Sequence, residues 1–215
     1  MTTHEIAAKL VEEGKGILAA DESNATCEKR FASIQTPCTE DTRRQYRELL
    51  FTTPGVEEKL SGIILFDETI RQSASDGTPF HDVLSGKDIL VGIKVDQGLE
   101  EDPGNPTGKV TKGLSGLAER LQEYKSLSAC FAKWRAVVQV NGGKGDISTM
   151  ENASRLAEYA EVCHAKGFVP IIEPEVLIDG NHTAEQAEDA LVETLEVVFD
   201  AMDANNDDAK RLFAT

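Results

Sequence analysis

Residues 89–96 read ILVGIKVD, an uninterrupted apolar run whose last residues are charged. A strand buried on both faces of a parallel sheet is typically continuous in this way, whereas a half-exposed strand alternates apolar and polar residues. Lys94 and Asp96 are two residues apart, so their side chains point to the same face of the predicted strand. The stretch therefore predicts a buried parallel strand that ends in a base and an acid.

Similar apolar runs recur on both sides of this stretch. They begin near Ile17, Ile63, Phe131 and Phe168. Helical patterns separate them, and strands that alternate with helices are typical of an α/β fold with a mainly parallel sheet. The starts lie about 38 residues apart, which suits the units of a (β/α) barrel, and eight such units would need roughly 320 residues. The sequence predicts about five βα units.

The segments between the runs contain signals for helix starts. Helices are expected to open at Thr39, Leu114, Ser148 and Thr183. The helix that opens at Thr39 is expected to bury one side, made of Tyr46, Leu49 and Leu50. Thr183 with Gln186 has the spacing of a capping box. Residues 97–109 are rich in glycine, proline and acid and predict a surface loop.

Composition excludes several classes of function. The chain of 215 residues has 22 Lys+Arg against 38 Asp+Glu, a net charge of −16, which would repel the phosphates of a nucleic acid. No apolar run approaches the ~20 residues of a membrane span, and no signal peptide opens the chain, so we expect a soluble cytoplasmic protein. The four cysteines and four histidines lack zinc-ligand spacing, and scattered thiols fit a reducing compartment.

Charged residues follow each predicted strand. These are Asp21 and Glu22, Asp67 and Glu68, Lys94 and Asp96, Lys133 and Arg135, and Glu173 and Glu175. The carboxyl ends of the strands form the active sites of (β/α) barrels, so we expect these side chains to meet there. Two neighbouring carboxylates would raise one another's pKa, and a nearby lysine would lower it. Solvated strand ends and merely structural Glu–Lys pairs remain the alternative interpretation.

Several longer segments identify a family. These segments are GILAADES at 16–23, GIILFDET at 62–69, GIKVD at 92–96, FAKWR at 131–135, IEPE at 172–175 and DGNH at 179–182. With them, the sequence resembles class I fructose-bisphosphate aldolase, the Schiff-base, metal-independent type, from about residue 4 to residue 206.

This resemblance implies a (β/α)8 TIM barrel, truncated here to about five units. Residues 1–206 would be the N-terminal part of the barrel and residues 207–215 a divergent tail. It implies reversible cleavage of fructose 1,6-bisphosphate to dihydroxyacetone phosphate and glyceraldehyde 3-phosphate, in glycolysis and gluconeogenesis. It also implies that a sugar bisphosphate is the substrate, that no cofactor, metal, nucleic acid or membrane takes part, and that the family's homotetramer is the expected assembly.

The resemblance also implies residue roles. Asp21 and Lys133 would transfer protons around carbon–carbon cleavage and the carbinolamine. Glu173 would be the general acid/base for carbinolamine dehydration, and Glu175 would tune the Schiff-base lysine. The implied substrate-binding residues are Ser23, Arg43, Lys94 and Arg135, with Lys29 and Arg30 in the same segment.

One departure from the family concerns the Schiff-base lysine. After Asn206 the family continues into a sixth strand with the motif Leu-Leu-Lys-Pro-Asn, whereas this chain reads DDAKRLFAT at 207–215. Neither Lys94 nor Lys133 occupies the sixth-strand position, and Lys210 lies in a segment without a strand pattern. We therefore expect no Schiff-base lysine in this chain. A non-catalytic aldolase fragment is the alternative function, and a metal-dependent aldolase is disfavoured because there is no histidine cluster.

Overall fold

The structure is a computed structural model that describes residues 1–138, 140–141, 144–145 and 147–205. The chain divides into two compact units. The first comprises Met1–Lys94 with Leu121–Ala132, and the second comprises Val95–Arg120 with Lys133–Thr215. The divergent tail predicted at 207–215 lies outside the described residues.

The order of elements is that of alternating strands and helices. The strands are β1 (Gly16–Ala20), β2 (Leu60–Leu65), β3 (Leu90–Lys94), β4 (Leu99–Asp102), β5 (Asn105–Thr111), β6 (Ala129–Val138), β7 (Val140–Asn141), β8 (Lys144–Gly145) and β9 (Val169–Val176). The helices are α1 (Thr3–Leu10), α2 (Asn24–Ser33), α3 (Glu40–Thr52), α4 (Asp67–Ile70), α5 (Phe80–Ser85), α6 (Leu117–Ser126), α7 (Ile147–Ala165) and α8 (Ala184–Asn205), with a 3-10 turn at Val56–Glu58.

Five strands form one parallel sheet in the order β1-β2-β3-β6-β9, and β6 contributes residues to both units. These are the five strands that the apolar runs predict, so the α/β class is confirmed. Neighbouring strands are in parallel register, with Ile64 of β2 between Ala19 of β1 and Gly92 of β3. Among the described residues, no helix is both long enough and apolar enough to cross a membrane.

The core of the first unit is built around the ring of Phe131, which is fully buried. Glycines in two strands make room for it. A Cβ added to Gly92 would lie 2.3 Å from the ring, and one added to Gly62 would lie 3.1 Å from it. A contact of 2.3 Å is shorter than real Cβ contacts, so the ring needs glycine at position 92. At position 62 the ring contact is tight, and the Cβ would also lie 2.7 Å from Leu10 Cδ2.

The apolar side predicted for α3 is wrong at Leu49, while Tyr46 and Leu50 are half-buried. Leu49 is 68% exposed, while Arg47 is 2% exposed and Phe51 is fully buried, its ring packed edge-on against Phe80 at 5.2 Å. The helix buries the arginine because an acid of the same unit meets its guanidinium, as described below. A pattern that counts only apolar residues places an arginine on the wrong side.

Residues 97–109, predicted as a loop, form most of a β-hairpin in the second unit. Strands β4 and β5 pair in antiparallel fashion, with Leu99 opposite Thr111. Asp102 supports the turn by accepting a hydrogen bond from the Gly104 amide at 2.8 Å. The hairpin is stabilised by packing of β5 against α7, with Val110 fully buried, and that tertiary contact overrides the local turn composition.

Helices α7 and α8 pack on one another and on β9 in the second unit. The capping box predicted for α8 is confirmed, because the Gln186 amide donates to Thr183 Oγ1 at 3.2 Å and the Thr183 amide donates to Gln186 Oε1 at 2.9 Å. The cap predicted at Ser148 lies outside the described side chains. Leu156, Tyr159 and Cys163 of α7 are fully buried, as their spacing indicates.

Candidate functional site

Strands β6 and β9 carry two ion pairs in successive positions. Lys133 Nζ lies 2.9 Å from Glu173 Oε2. Two residues further along each strand, Arg135 donates from Nη2 to Glu175 Oε1 at 2.8 Å and from Nε to the other carboxylate oxygen. Two residues is the period of a strand, so the bases share one face of β6 and the acids share one face of β9. Lys133 therefore lies within ion-pair reach of a carboxylate, as predicted.

The two pairs differ in solvent access and have clear electrostatic consequences. The Lys133 side chain is 8% exposed and that of Glu173 is 36% exposed. The hydrogen bonds from Arg135 lower the pKa of Glu175, and the same bonds raise the pKa of Arg135. At Glu175 the effect that opposes ionisation is burial, not a neighbouring carboxylate, and Arg135 with Lys133 outweighs it, so that Glu175 is held as an anion.

Buried polar groups of the second unit fix the backbone of Arg135. Asp96 Oδ2 accepts from the Arg135 amide at 3.3 Å, and Thr111 Oγ1 donates to the Arg135 carbonyl at 2.9 Å. Asn152 of α7 is fully buried, accepts from the Thr111 amide at 2.9 Å and donates to the Val137 carbonyl at 3.3 Å. Sequence reasoning missed Asn152, whose only signal is an amide inside a buried helical stretch.

The opposite face of β6 is apolar. Trp134 lies between the two bases in sequence and is fully buried, with its ring 5.4 Å from that of Tyr159. Burial raises the pKa of Tyr159 well above its usual range. The strand thus presents charge on one face and a large aromatic anchor on the other, which fixes its orientation.

The strand ends of the first unit carry other predicted site residues. Asp21 follows β1 directly and is buried, and Lys94 is the last residue of β3 and is half-buried. Ser23 caps α2, accepting from the Thr26 amide at 3.3 Å and sharing a hydrogen bond with its hydroxyl at 3.1 Å. A hydroxyl pair therefore stands at the start of α2, two residues beyond Asp21.

Arg43 of α3 is engaged by a carboxylate. Its Nε lies 2.7 Å from Glu68 Oε1 and its Nη2 lies 2.6 Å from Glu68 Oε2, while Asn24 donates to the same carboxylate at 3.4 Å. The hydrogen bonds to Glu68 raise the pKa of Arg43, and those from Arg43 lower the pKa of Glu68. Arg43 is thus a fixed cation beside the end of β2, held in two-point geometry.

A second arginine of α3 was not predicted. Arg47 donates from Nη2 to the carbonyl of Glu22 at 3.1 Å and from Nη1 to its carboxylate. Tyr46 donates to Glu22 at 3.0 Å, and Arg30 also pairs with it. Burial opposes ionisation of Glu22, but Arg47 outweighs that effect and the pKa of Glu22 is lowered. The available signal was the i, i+4 spacing of Arg43 and Arg47 opposite two strands that end in acid.

The predicted site residues are divided between the two units, and the residues of one unit are here called its group. The group of the second unit contains Lys133, Arg135, Glu173 and Glu175, and these four are in direct contact in pairs. The group of the first unit contains Asp21, Ser23, Arg43 and Lys94, whereas Lys29 is an exposed residue of α2. In the part of the chain that the structure describes, no three His, Cys, Asp or Glu side chains are grouped as metal ligands would be.

The arrangement can move protons and bind anions. A lysine with little access to water, paired with a carboxylate, is a standard donor–acceptor couple for general acid–base catalysis. Arg135 and Arg43 offer planar guanidinium groups of the kind that bind phosphate. Each is held by a carboxylate, so an anionic ligand would bind in competition with, or beside, that carboxylate.

Comparison with known proteins identifies related sequences. A family model for fructose-bisphosphate aldolase class I, of the glycolytic group, matches residues 3–207. A probable class 1 fructose-bisphosphate aldolase of Xanthomonas axonopodis pv. citri (strain 306) is 46% identical over 203 residues, which cover 94% of this chain and 61% of that protein. The fructose-bisphosphate aldolase of Dictyostelium discoideum is 48% identical over 200 residues, which cover 91% of this chain and 56% of that protein.

A solved structure matches the fold as well. Fructose-bisphosphate aldolase of Plasmodium falciparum, in a ternary complex with TRAP and a small-molecule inhibitor, superposes with a TM-score of 0.89 at 44% identity, covering 95% of this chain and 60% of that one. The chain thus spans about 60% of the length of the proteins that it matches. Its fold is the corresponding part of a (β/α)8 barrel. With its family model, its relatives and its fold in agreement, the chain belongs to the class I fructose-bisphosphate aldolase family.

Proposed function

We propose that this chain supplies the proton-transfer and substrate-holding residues of a class I fructose-bisphosphate aldolase. The reaction is reversible cleavage of fructose 1,6-bisphosphate to dihydroxyacetone phosphate and glyceraldehyde 3-phosphate. The single observation that carries the proposal is the pair of the buried Lys133 with Glu173 at 2.9 Å, within segments that match the family. A buried ammonium of this kind is costly unless it has a task or a well-placed partner.

In this proposal the two ion pairs have different tasks. Lys133 and Asp21 exchange protons with the substrate during cleavage of the carbon–carbon bond, and Glu173 transfers the proton that removes water from the carbinolamine. Glu175 is held as an anion by Arg135, which suits a fixed negative charge beside a lysine that must become a cationic imine. Proton transfer by a positioned group contributes roughly 10²- to 10⁴-fold to a rate.

Phosphate binding is proposed for the remaining residues. Ser23, Arg43, Lys94 and Arg135 provide hydroxyl, guanidinium and ammonium donors in a chain whose net charge is −16. A local cluster of cations is needed to draw an anion to such a protein. We propose the cytoplasm as its location and a homotetramer as its assembly, on family resemblance alone.

The covalent step tests the proposal. Dihydroxyacetone phosphate is added, sodium borohydride reduces any imine, and peptide mass spectrometry finds the modified lysine. We expect no adduct on residues 1–215 alone, since the Schiff-base lysine of the resemblance lies in a sixth strand. We expect an adduct, and cleavage of fructose 1,6-bisphosphate, when the chain is fused to the C-terminal segment of the Dictyostelium relative, which includes that lysine.

The alternative is a non-catalytic aldolase fragment. It is favoured by one observation, namely that the chain spans only 61% of the Xanthomonas relative. The fusion separates the two proposals: a folded fusion that forms the adduct but fails to cleave substrate would show that the acid–base residues of this chain do not serve catalysis. The matching segment of the Dictyostelium protein itself, joined in the same way, is the positive control.

A further inference from the structure

Two of the four cysteines, both in the first unit, each contact an arginine of α3. Cys38, half-buried before α3, accepts a hydrogen bond from Arg43 Nη1 at 3.6 Å. Cys27, fully buried in α2, accepts one from Arg47 Nη2 at 3.9 Å. The two arginines are one turn apart on α3, so their side chains are neighbours and each presents a cation to a sulfur.

Both thiols lie at the first turn of α2. Cys38 Sγ lies 4.0 Å from the carbonyl oxygen of Asn24, the first residue of α2, and Cys27 is one turn further along the same helix. Burial raises the pKa of Cys27, and the nearby Cys38 contributes to the rise. Cys38 lies in the irregular connection between α2 and α3, so a shift of its sulfur towards Cys27 would not require a helical residue to leave its helix.

We propose that Cys27 and Cys38 are a modification site at which a small disulfide such as glutathione disulfide forms a reversible intramolecular disulfide. The Cys38 thiolate attacks one sulfur of glutathione disulfide, so a mixed disulfide forms and one glutathione thiolate leaves. Cys27 then attacks the Cys38 sulfur and releases the second glutathione as a thiolate, which takes up the proton that Cys27 gives away. Two protein thiols are thereby oxidised by two electrons, and one glutathione disulfide is reduced to two glutathione molecules.

The environment of Cys38 suits the first step. It has solvent access, and its sulfur faces the guanidinium of Arg43, which is the setting in which cysteines react with oxidants. The other two thiols lack such a setting. Burial raises the pKa of Cys130 to about 11 and that of Cys163 to about 12, and the Cys130 thiol donates to the Val91 carbonyl at 3.7 Å.

The site does not depend on aldol chemistry, and it ties α2 to the segment before α3. Closing this short loop would constrain the unfolded chain. In the disulfide, neither sulfur can keep its present thiol geometry beside Arg43 and Arg47. Oxidation is therefore expected to shift the guanidinium groups of these arginines, which hold Glu22 and Glu68 at the ends of β1 and β2.

The experiment treats the folded full chain with glutathione disulfide, blocks the remaining thiols with iodoacetamide and maps peptides by mass spectrometry. We expect free thiols to fall from the four of the reduced protein to two. We expect one linked peptide pair that joins Cys27 to Cys38, with loss of two hydrogen atoms and full reversal by dithiothreitol. Cys130→Ser and Cys163→Ala are matched controls and should leave the link intact.

The variants distinguish the outcomes. Cys27→Ser should stop at a glutathione adduct on Cys38, and Cys38→Ser should give neither link nor adduct on Cys27. A link between two chains, a persistent glutathione adduct in the wild type, or two unmodified thiols at 27 and 38 would each overturn the proposal. In a parallel sample, alkylation of the fully buried Cys163 in urea but not in buffer verifies that the oxidised protein was folded.

Discussion

The Lys133 side chain has little access to water, so its electrostatic environment comes from the neighbouring protein groups. Its partner Glu173 lies at 2.9 Å, and the second ion pair follows two residues away. Such a pair contributes little net stability, because the desolvation of both ions offsets their attraction. The more informative measurement at this position is therefore activity.

Lys133→Met keeps the length of the side chain and removes the charge. In the fused, complete enzyme we expect the rate of fructose 1,6-bisphosphate cleavage to fall by about 10²- to 10⁴-fold, since a proton-transfer group is lost. A coupled assay measures the rate, and Lys112→Met, an exposed lysine of the same unit, is the control. Full activity of Lys133→Met in a folded enzyme would remove this lysine from the reaction.

Glu48 provides a test of pH dependence. Its carboxylate accepts from the amide and the hydroxyl of Ser75 at 2.7 Å each, and from Arg44 at 2.5 Å. These bonds, that from the Ser75 amide first, lower the pKa of Glu48 from 4.5 to about 2. A carboxyl whose pKa is lower in the folded state stabilises that state above its unfolded pKa and loses the effect as the pH falls.

The expected result follows from that sign. Wild-type protein should exceed Glu48→Gln in free energy of unfolding by a constant amount above about pH 4.5, and the difference should shrink as the pH falls towards 2. Urea unfolding at a series of pH values measures it. Ser75→Ala keeps the backbone donor and should retain part of the difference. A difference that is the same at pH 3 and pH 7 would contradict the assignment.

At this scale the sequence predicts well which charged side chains of a strand share one face. Lys133 and Arg135 share a face because a strand repeats every two residues, and the observed pairs with Glu173 and Glu175 follow that period. Arg47 was missed because its burial depends on Glu22, which is 25 residues away in sequence. Local periodicity contains no information about such a distant partner.

Among the elements, β3 depends most sharply on a single glycine. A methyl group at Gly92 would lie 2.3 Å from the ring of Phe131, which has no exposed surface and no room to move. Gly92→Ala should therefore destabilise the protein by about 1 to 3 kcal/mol or more, the range typical of an overpacked core.

Chemical unfolding measures this effect, and another strand of the same sheet supplies the control. A methyl group added at Gly16 of β1 would have no heavy atom within 4 Å, so Gly16→Ala should be close to neutral. Gly92→Ala combined with Phe131→Leu should recover part of the loss, because the smaller side chain frees space. Equal stability of the two single alanine variants would show that Phe131 does not pack on Gly92.

Elements were predictable from the sequence where one signal dominates. Continuous apolar runs located all five strands of the parallel sheet, and the Thr183 cap located the start of α8. The β4–β5 hairpin was not predicted, because glycine, proline and acid in residues 97–109 are loop formers locally. Its strands form because α7 covers β5, a contact that links residues some 40 positions apart.

For the molecule as a whole, the exposed apolar side chains are the main concern. In the sheet, β1 and β9 stand at the two ends of the strand order, and the apolar Ile17 of β1 is 37% exposed. On α8, Val192 and Phe199 are 49% and 45% exposed. Strand edges and apolar faces of this kind favour association with another chain or segment.

We therefore expect residues 1–215 alone to be marginally stable and prone to aggregate, despite the charge of −16. Differential scanning calorimetry should find no cooperative transition above about 50 °C, where intact mesophilic domains commonly melt. The fusion with the C-terminal segment of the Dictyostelium relative should restore one. A monomeric chain with a single sharp transition above that temperature would contradict the expectation that the exposed apolar side chains make it marginally stable.

The pairing of Trp134 with Tyr159 has a practical consequence. Trp134 is the only tryptophan of the chain, and it lies between Lys133 and Arg135 with no exposed surface. Its fluorescence therefore comes from one place, the apolar back of the strand that carries both bases. Excitation at the red edge of the tryptophan band excites Trp134 and not the tyrosines, so the fluorescence reports on that strand without a label. Shifts in its emission wavelength, or quenching, on addition of a ligand can be followed in real time.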